Sequence, residues 1–138
     1  MYRFDTSARY RASRHVASVP GERVTGGSGG IGGPIAARLA EDGFSVVIGY
    51  SGSADLADEV VAAIEAKGGS AAPVPGDVAD PDDMQALFQT ASDRFGGVDV
   101  IVNAAGIMPL ASIAEMDLDT FDRVQRINVR GTFVMCQR

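Results

Sequence analysis

The chain has one cysteine, one lysine and no long apolar run. The lone cysteine, Cys136, excludes an internal disulfide and suits a reducing cytoplasm. It stands in an apolar stretch and is expected to pack as a small hydrophobe. No stretch reaches the roughly 18 apolar residues that a membrane-spanning helix needs, so no membrane partner is expected. Basic charge is also scarce: 12 Lys and Arg against 18 Asp and Glu leave a net charge of −6. That balance argues against a nucleic-acid partner, because phosphate backbones are held by basic faces.

What basic charge there is gathers at the start. Residues 1–23 carry Arg3, Arg9, Arg11, Arg14 and Arg23 against Asp5 and Glu22. The segment shows no apolar period. It reads as an irregular or disordered leader, or as a transit-like segment, which is also Arg- and Ser-rich; it has no apolar core of the kind a secretory signal requires. The remainder, 24–138, has the length of a single domain with a real core.

From Val24 onward short apolar runs alternate with helical periods. Ile31, Ile35 and Leu39 fall on one face of a helix over 31–42 that Gly43 ends. "FSVVIGY", residues 44–50, reads as a buried strand. A second helix, 54–67, carries Leu56, Val60 and Ile64 on one face. A strand over 71–74 follows, and Pro81 opens a third helix with Met84, Leu87, Phe88, Ala91 and Phe95 as its buried stripe. Gly96-Gly97 stops it, 98–102 reads as a buried strand, and a last helix begins at Leu118. Strands alternating with helices predict βαβ units: a doubly wound, Rossmann-type α/β fold with a parallel sheet.

One stretch is unusual in its glycine content. Val24 to Gly32, "VTGGSGGIG", holds five glycines between a possible strand end and a helix start. Such a turn offers bare N–H groups at the positive end of a helix dipole, and it lets a pyrophosphate lie against the backbone. A P-loop is excluded in its usual form, because no Gly-Lys-Ser/Thr follows. Further along, Asp77-Val78 follows the third strand, Asn103-Ala104-Ala105-Gly106 follows the fourth, and Asn128 stands mid-helix in "INVRG". Asparagine is a poor mid-helix residue, so Asn128 calls for a compensating partner, a buried water or a catalytic relay.

Taken in order, these segments resemble the short-chain dehydrogenase/reductase family, 3-oxoacyl-thioester reductases among its members. Thr25-Gly26-x-x-x-Gly30-Ile31-Gly32 is similar to its TGxxxGIG motif, and Asn103 to Gly106 to its N-N-A-G motif with Ala at the second place. The resemblance implies an NAD(P)-dependent oxidoreductase acting on a small-molecule carbonyl or alcohol, cytoplasmic, without a metal, and homo-oligomeric at full length. It implies cofactor contacts from Thr25, Gly26, Ser28, Gly30, Ile31, Gly32, Tyr50, Ser51, Asp77, Val78, Asn103, Ala104 and Gly106, and an active-site role for Asn128. Where NAD-binding members carry an acid after the second strand, this chain reads Tyr50-Ser51-Gly52-Ser53, which favours NADP over NAD. Gly29 stands where a basic phosphate partner is usual.

The resemblance also implies a serine and a Tyr-x-x-x-Lys that follow the Asn128 helix. The only lysine is Lys67, with Ala63 four residues before it, and Tyr10-x-x-x-Arg14 offers a base that cannot relay a proton. Val19-Pro20-Gly21 is a poor central strand. The chain therefore reads as a fragment of such an oxidoreductase, with a non-catalytic nucleotide-binding module or a decayed remnant as the alternative. A sugar-nucleotide epimerase relative is a third reading, which "NAAG" and "INVRG" disfavour.

Overall fold

The computed structural model describes residues 14–20 and 30–137. The elements run β1 (Arg14–Pro20), α1 (Gly32–Glu41), β2 (Phe44–Tyr50), α2 (Ala54–Glu65), β3 (Ser70–Pro75), α3 (Pro81–Phe95), β4 (Val100–Ala104), α4 (Leu118–Val124), a π turn (Gln125–Arg130) and α5 (Gly131–Cys136). The four strands form one parallel sheet in the order β3-β2-β1-β4. That is the doubly wound α/β arrangement expected, and the order in which strands are added reverses between β1 and β4.

β2 is the buried centre of the core. Its alternate residues point to opposite faces, as the pleat requires. Val46 and Ile48 join Ala36 of α1, Ala57 and Ile64 of α2 and Ala71 of β3. Val47 joins Val74 of β3, Met84, Leu87 and Ala91 of α3, and Val134 and Met135 of α5. The sheet is thus covered on both faces, and each fully buried Ile, Leu or Met stabilises by roughly 1.5–3 kcal/mol. α3 matches its expected stripe, with Phe88 and Phe95 half-buried at its margin. Asp80 caps it by accepting from the N–H groups of Asp82 and Asp83.

Several expectations are corrected. Residues 14–20, placed in an irregular leader, form β1 between β2 and β4. Pro20 is tolerated because its pairing is with Ala104 of β4 alone, beyond the last β2 pair at Ser18↔Ile48. Residues 1–13 and 21–29, including Val24, lie outside the described residues.

On the first two helices Ile64 is buried and Leu39 and Val60 pack against the core as expected, beside the small Ala36 and Ala57, but two residues of the expected faces are exposed. Ile31 is 76% exposed and Leu56 38%. Gly33 faces α2, and a Cβ there would make van der Waals contact with Val60 Cγ2 at 3.4 Å. β4 begins two residues later than expected and is not buried, because it is the outer strand; Val100 and Ile101 are exposed. Cys136 is exposed at the end of α5 rather than packed.

Candidate functional site

In a parallel sheet every strand ends on the same edge, so the loops that follow them converge there. Tyr50 ends β2, Asp77 follows β3, and Asn103 and Ala104 end β4. Val19 pairs with Asn103 and Pro20 with Ala104, which puts the N-A-A-G turn directly beside the end of β1 at the reversal point. Thr25, Gly26 and Ser28 lie outside the described residues. Gly30, Ile31 and Gly32 enter α1 at the same edge.

α1 shares with α2 the lack of a side-chain cap, and differs from α2, α3 and α4 in having no acid in its first turn. α3 and α4 are capped by Asp80 and Asp117, whose carboxylates take the first N–H groups. α1 has Ile31 at that position, no side-chain cap and no acid in its first turn. Gly30 has φ +41°, and a Cβ added there would meet nothing within 4 Å. A left-handed glycine with open space beside it, and N–H groups at a dipole's positive end that take no side-chain cap among the described residues, suit a bound anion such as a pyrophosphate.

At the end of β2, the Tyr50 carbonyl accepts from Gly76 N–H at 2.8 Å, tying the β2 and β3 exits together. Ser51 is exposed, and Ser53 makes no capping bond to α2. Asp77 is more engaged than its place in a loop suggests. Its Oδ1 accepts from Ala79 N–H at 2.8 Å, and its Oδ2 accepts from Arg126 Nη1 at 2.6 Å. Its own N–H donates to Asp83 Oδ2. Partial burial works against ionisation, but the Ala79 N–H and Arg126, with Arg130 farther off, outweigh it and hold the carboxyl below its ordinary range. Helix capping belongs to Asp80, not Asp77.

Asn128 sits inside the π turn, and the partner of its side chain among the described residues is backbone. Its side chain makes a two-way bond with one backbone unit: Nδ2 donates to the Ile107 carbonyl at 2.8 Å, and Oδ1 accepts from Ile107 N–H at 2.9 Å. Gly106 stands against it, with an added Cβ 3.5 Å from Asn128 Oδ1. The Asn128 carbonyl accepts from the Thr132 hydroxyl, which itself accepts from Asn103 Nδ2. Asn103, Gly106, Ile107, Asn128 and Thr132 therefore form one connected group.

Asp77, Asn103 and Asn128 are brought into contact with this long helix or lie on it. Arg126, Thr132 and Gly131 were missed by the sequence reading. Their partners are 49, 29 and more than 50 residues away, and no local period marks them. Among the described residues no cluster of His, Cys, Asp or Glu could hold a metal ion, and no helix is long and apolar enough to cross a membrane.

The geometry agrees with comparisons to known proteins. The family model for short chain dehydrogenases matches residues 23–138. The chain is 36% identical over 132 residues to a versicolorin reductase of Emericella nidulans, covering 96% of this chain and 48% of that protein. It is 39% identical over 115 residues to a 3-oxoacyl-[acyl-carrier-protein] reductase of Staphylococcus aureus, covering 83% and 47%. A short chain dehydrogenase of Burkholderia cenocepacia, solved in complex with NADP, superposes with a TM-score of 0.77 at 40% identity, over 91% of this chain and 48% of that one. The chain spans about half the length of the relatives it matches.

Proposed function

Since the chain belongs to the short-chain dehydrogenase family, we propose that it is the nucleotide-binding half of an NADP(H)-dependent oxidoreductase that interconverts a carbonyl and an alcohol in the cytoplasm. The observation that carries this is the uncapped start of α1 at Gly30, beside the reversal point where Asn103 meets β1. Two of the proteins named above are reductases and the third, a short chain dehydrogenase, is solved with NADP, which supports the cofactor class.

The residues present fit a dinucleotide. The N–H groups opening α1 would hold the pyrophosphate. Asp77, although bonded to Arg126 and Ala79, keeps lone pairs free at the adenine end, since a carboxylate can accept about four bonds. Tyr50 and Ser51 replace the ribose-binding acid of NAD-selective sites and so leave a 2′-phosphate unopposed. Small residues at Ala104 and Gly106 leave passage past β4. When bound, the nicotinamide supplies or takes the hydride. Asn128 holds Ile107 and Gly106 in place, which fixes the wall of the crevice beside the reacting end. The serine and the Tyr-x-x-x-Lys of this family would be supplied by residues following the Asn128 helix.

Calorimetry tests the reading. The chain should bind NADP and 2′,5′-ADP more tightly than NAD. Gly30→Val should abolish that binding, since its side chain would enter the open face of the loop in a backbone conformation that disfavours Val. Tyr50→Asp should weaken 2′-phosphate ligands and spare NAD. Equal binding by the parent and Gly30→Val would refute the loop's role.

A further inference from the structure

The Asp77-Val78 dipeptide touches the long helix at two places, and those places are themselves joined. Asp77 is bonded to Arg126 at 2.6 Å. Val78 is buried against Gly131, so closely that an added Cβ would lie 2.6 Å from Val78 Cγ1. Arg126 and Gly131 are five residues apart, and the Gly131 N–H donates to the Arg126 carbonyl. That is the wide hydrogen bond of the π turn, and Asn128 lies inside it.

A π turn is rare and needs a cause, because the same residues would ordinarily close to the tighter α-helical bond. The segment Gln125–Arg130 contains no proline or glycine, and the local contribution is the Thr132 hydroxyl on the Asn128 carbonyl, which loosens the ladder without setting which way it opens. Closing the turn would shift the helix by one residue, a rotation of about 100°. The two bonds between Asn128 and Ile107 could not both survive it, since they depend on the side chain meeting one peptide unit from both ends.

We propose that Asp77 and Val78 form a clamp that holds the π turn open, and that Arg126 and Val78 are thereby positioning residues for Asn128. Asp77 draws Arg126 toward the β3 exit, and Val78 fills the space over Gly131. The two contacts fix both ends of the wide bond. The loop assigned to the adenine end of the crevice thus sets the geometry of the asparagine at its other end. This function of the clamp rests on the reading of Asn128 as a site residue, but its test requires no nucleotide.

The test is NMR on the 138-residue chain. Amide exchange would be followed at Ile107 and at the β2 residues Val46 to Ile48, together with the Asn128 side-chain NH2 signal. In Arg126→Met, Ile107 should exchange about threefold to fivefold faster, the scale of an exposed ion pair. The Asn128 signal should shift, and the β2 amides should not change. Val78→Ala also trims the core that Val78 shares with Val47, so by the other contact it should shift the Asn128 signal and quicken Ile107 more than the β2 amides. Arg126→Lys should recover more than half of the effect; no recovery would remove the ion pair from the clamp. Unchanged Ile107 and Asn128 signals in both variants would overturn the proposal. So would acceleration shared equally by β2, which would make the contacts general stabilisers. A failure of nucleotide binding would leave all of these readouts unmoved and would count only against the function proposed above.

Discussion

The Asn103 side-chain amide donates to the Thr132 hydroxyl at 2.8 Å, across 29 residues of sequence. The hydroxyl has one proton, and it gives that proton to the Asn128 carbonyl. The direction of the chain is therefore fixed: amide to hydroxyl to carbonyl. Asn103 Oδ1 is taken by the Ala105 N–H at 3.3 Å, which fixes the amide's orientation as well.

Replacing Thr132 by valine keeps the shape and removes both bonds. Stability should fall by about 1 kcal/mol, the usual net value of such bonds at a part-exposed site. Thr132→Ser should lose much less. Urea unfolding of the three chains decides it, and a valine variant as stable as the parent would show that the bridge contributes nothing.

Gly131 gives a prediction of unusual sign. In an exposed helix, Gly→Ala stabilises by up to about 1 kcal/mol. Here the new Cβ would lie 2.6 Å from Val78 Cγ1 and 3.2 Å from Cγ2. Val is stiff at χ1, so it cannot swing away freely. Gly131→Ala should destabilise by about 1–3 kcal/mol, as overpacking does. Adding Val78→Ala should restore part of that loss, giving a non-additive cycle in thermal or urea unfolding.

The Asp77 carboxyl is held below its ordinary range in the folded chain. Between the folded and unfolded values the unfolded chain binds more protons, so stability rises with pH there. The contribution is complete above about pH 4 and is lost as pH falls through the lower folded value. Because Asp77 and Arg126 are 36% and 44% exposed, its size is at most about 1 kcal/mol. Asp77→Asn keeps the bond from Ala79 and removes the charge. The variant should be less stable than the parent at about pH 7, and the gap should narrow toward about pH 3. A constant gap would assign the effect to something other than ionisation.

β4 is the outer strand of the sheet, with Val100 37% and Ile101 40% exposed. An apolar parallel edge is a template for further pairing. Phe121, Val129 and Phe133 are exposed on the helix that follows. The 138-residue chain should therefore self-associate in size-exclusion chromatography, and Ile101→Lys should raise its monomer fraction. A clean monomer at high concentration would contradict this.

Assayed by itself, the same chain should consume no NADPH with a panel of ketones. Its one lysine, Lys67, is bonded to Glu41 at 2.9 Å, where α1 and α2 end. Helix ends of that kind lie at the edge of the sheet opposite to the crevice. Turnover in proportion to protein, lost in Asn128→Ala, would require catalytic residues other than those of this family.

The sequence alone determined the kind of fold and the sheet edge at which the candidate residues gather. Alternating short apolar strands and helical periods leave few arrangements besides a parallel sheet covered on both faces. Glycine at Gly30, the Asp77-Val78 pair and the turn from Asn103 to Gly106 mark the strand exits, because turn chemistry is local. The bounds of α3 were legible for the same reason: Pro81 and Gly96 are signals within the helix's own reach. Exposure was not legible. Ile31 and Leu56 fit an apolar period yet are exposed, while Leu39, Val60 and Ile64 of the same periods pack against the core. β1 was hidden by a proline whose place past the last β2 pair is a property of the register. The partners of Asn128, Asn103 and Asp77 were decided only by the tertiary structure. Ile107 reaches Asn128, Thr132 reaches Asn103 and Arg126 reaches Asp77 across 21, 29 and 49 residues, and a contact at that separation leaves no period in the chain to read.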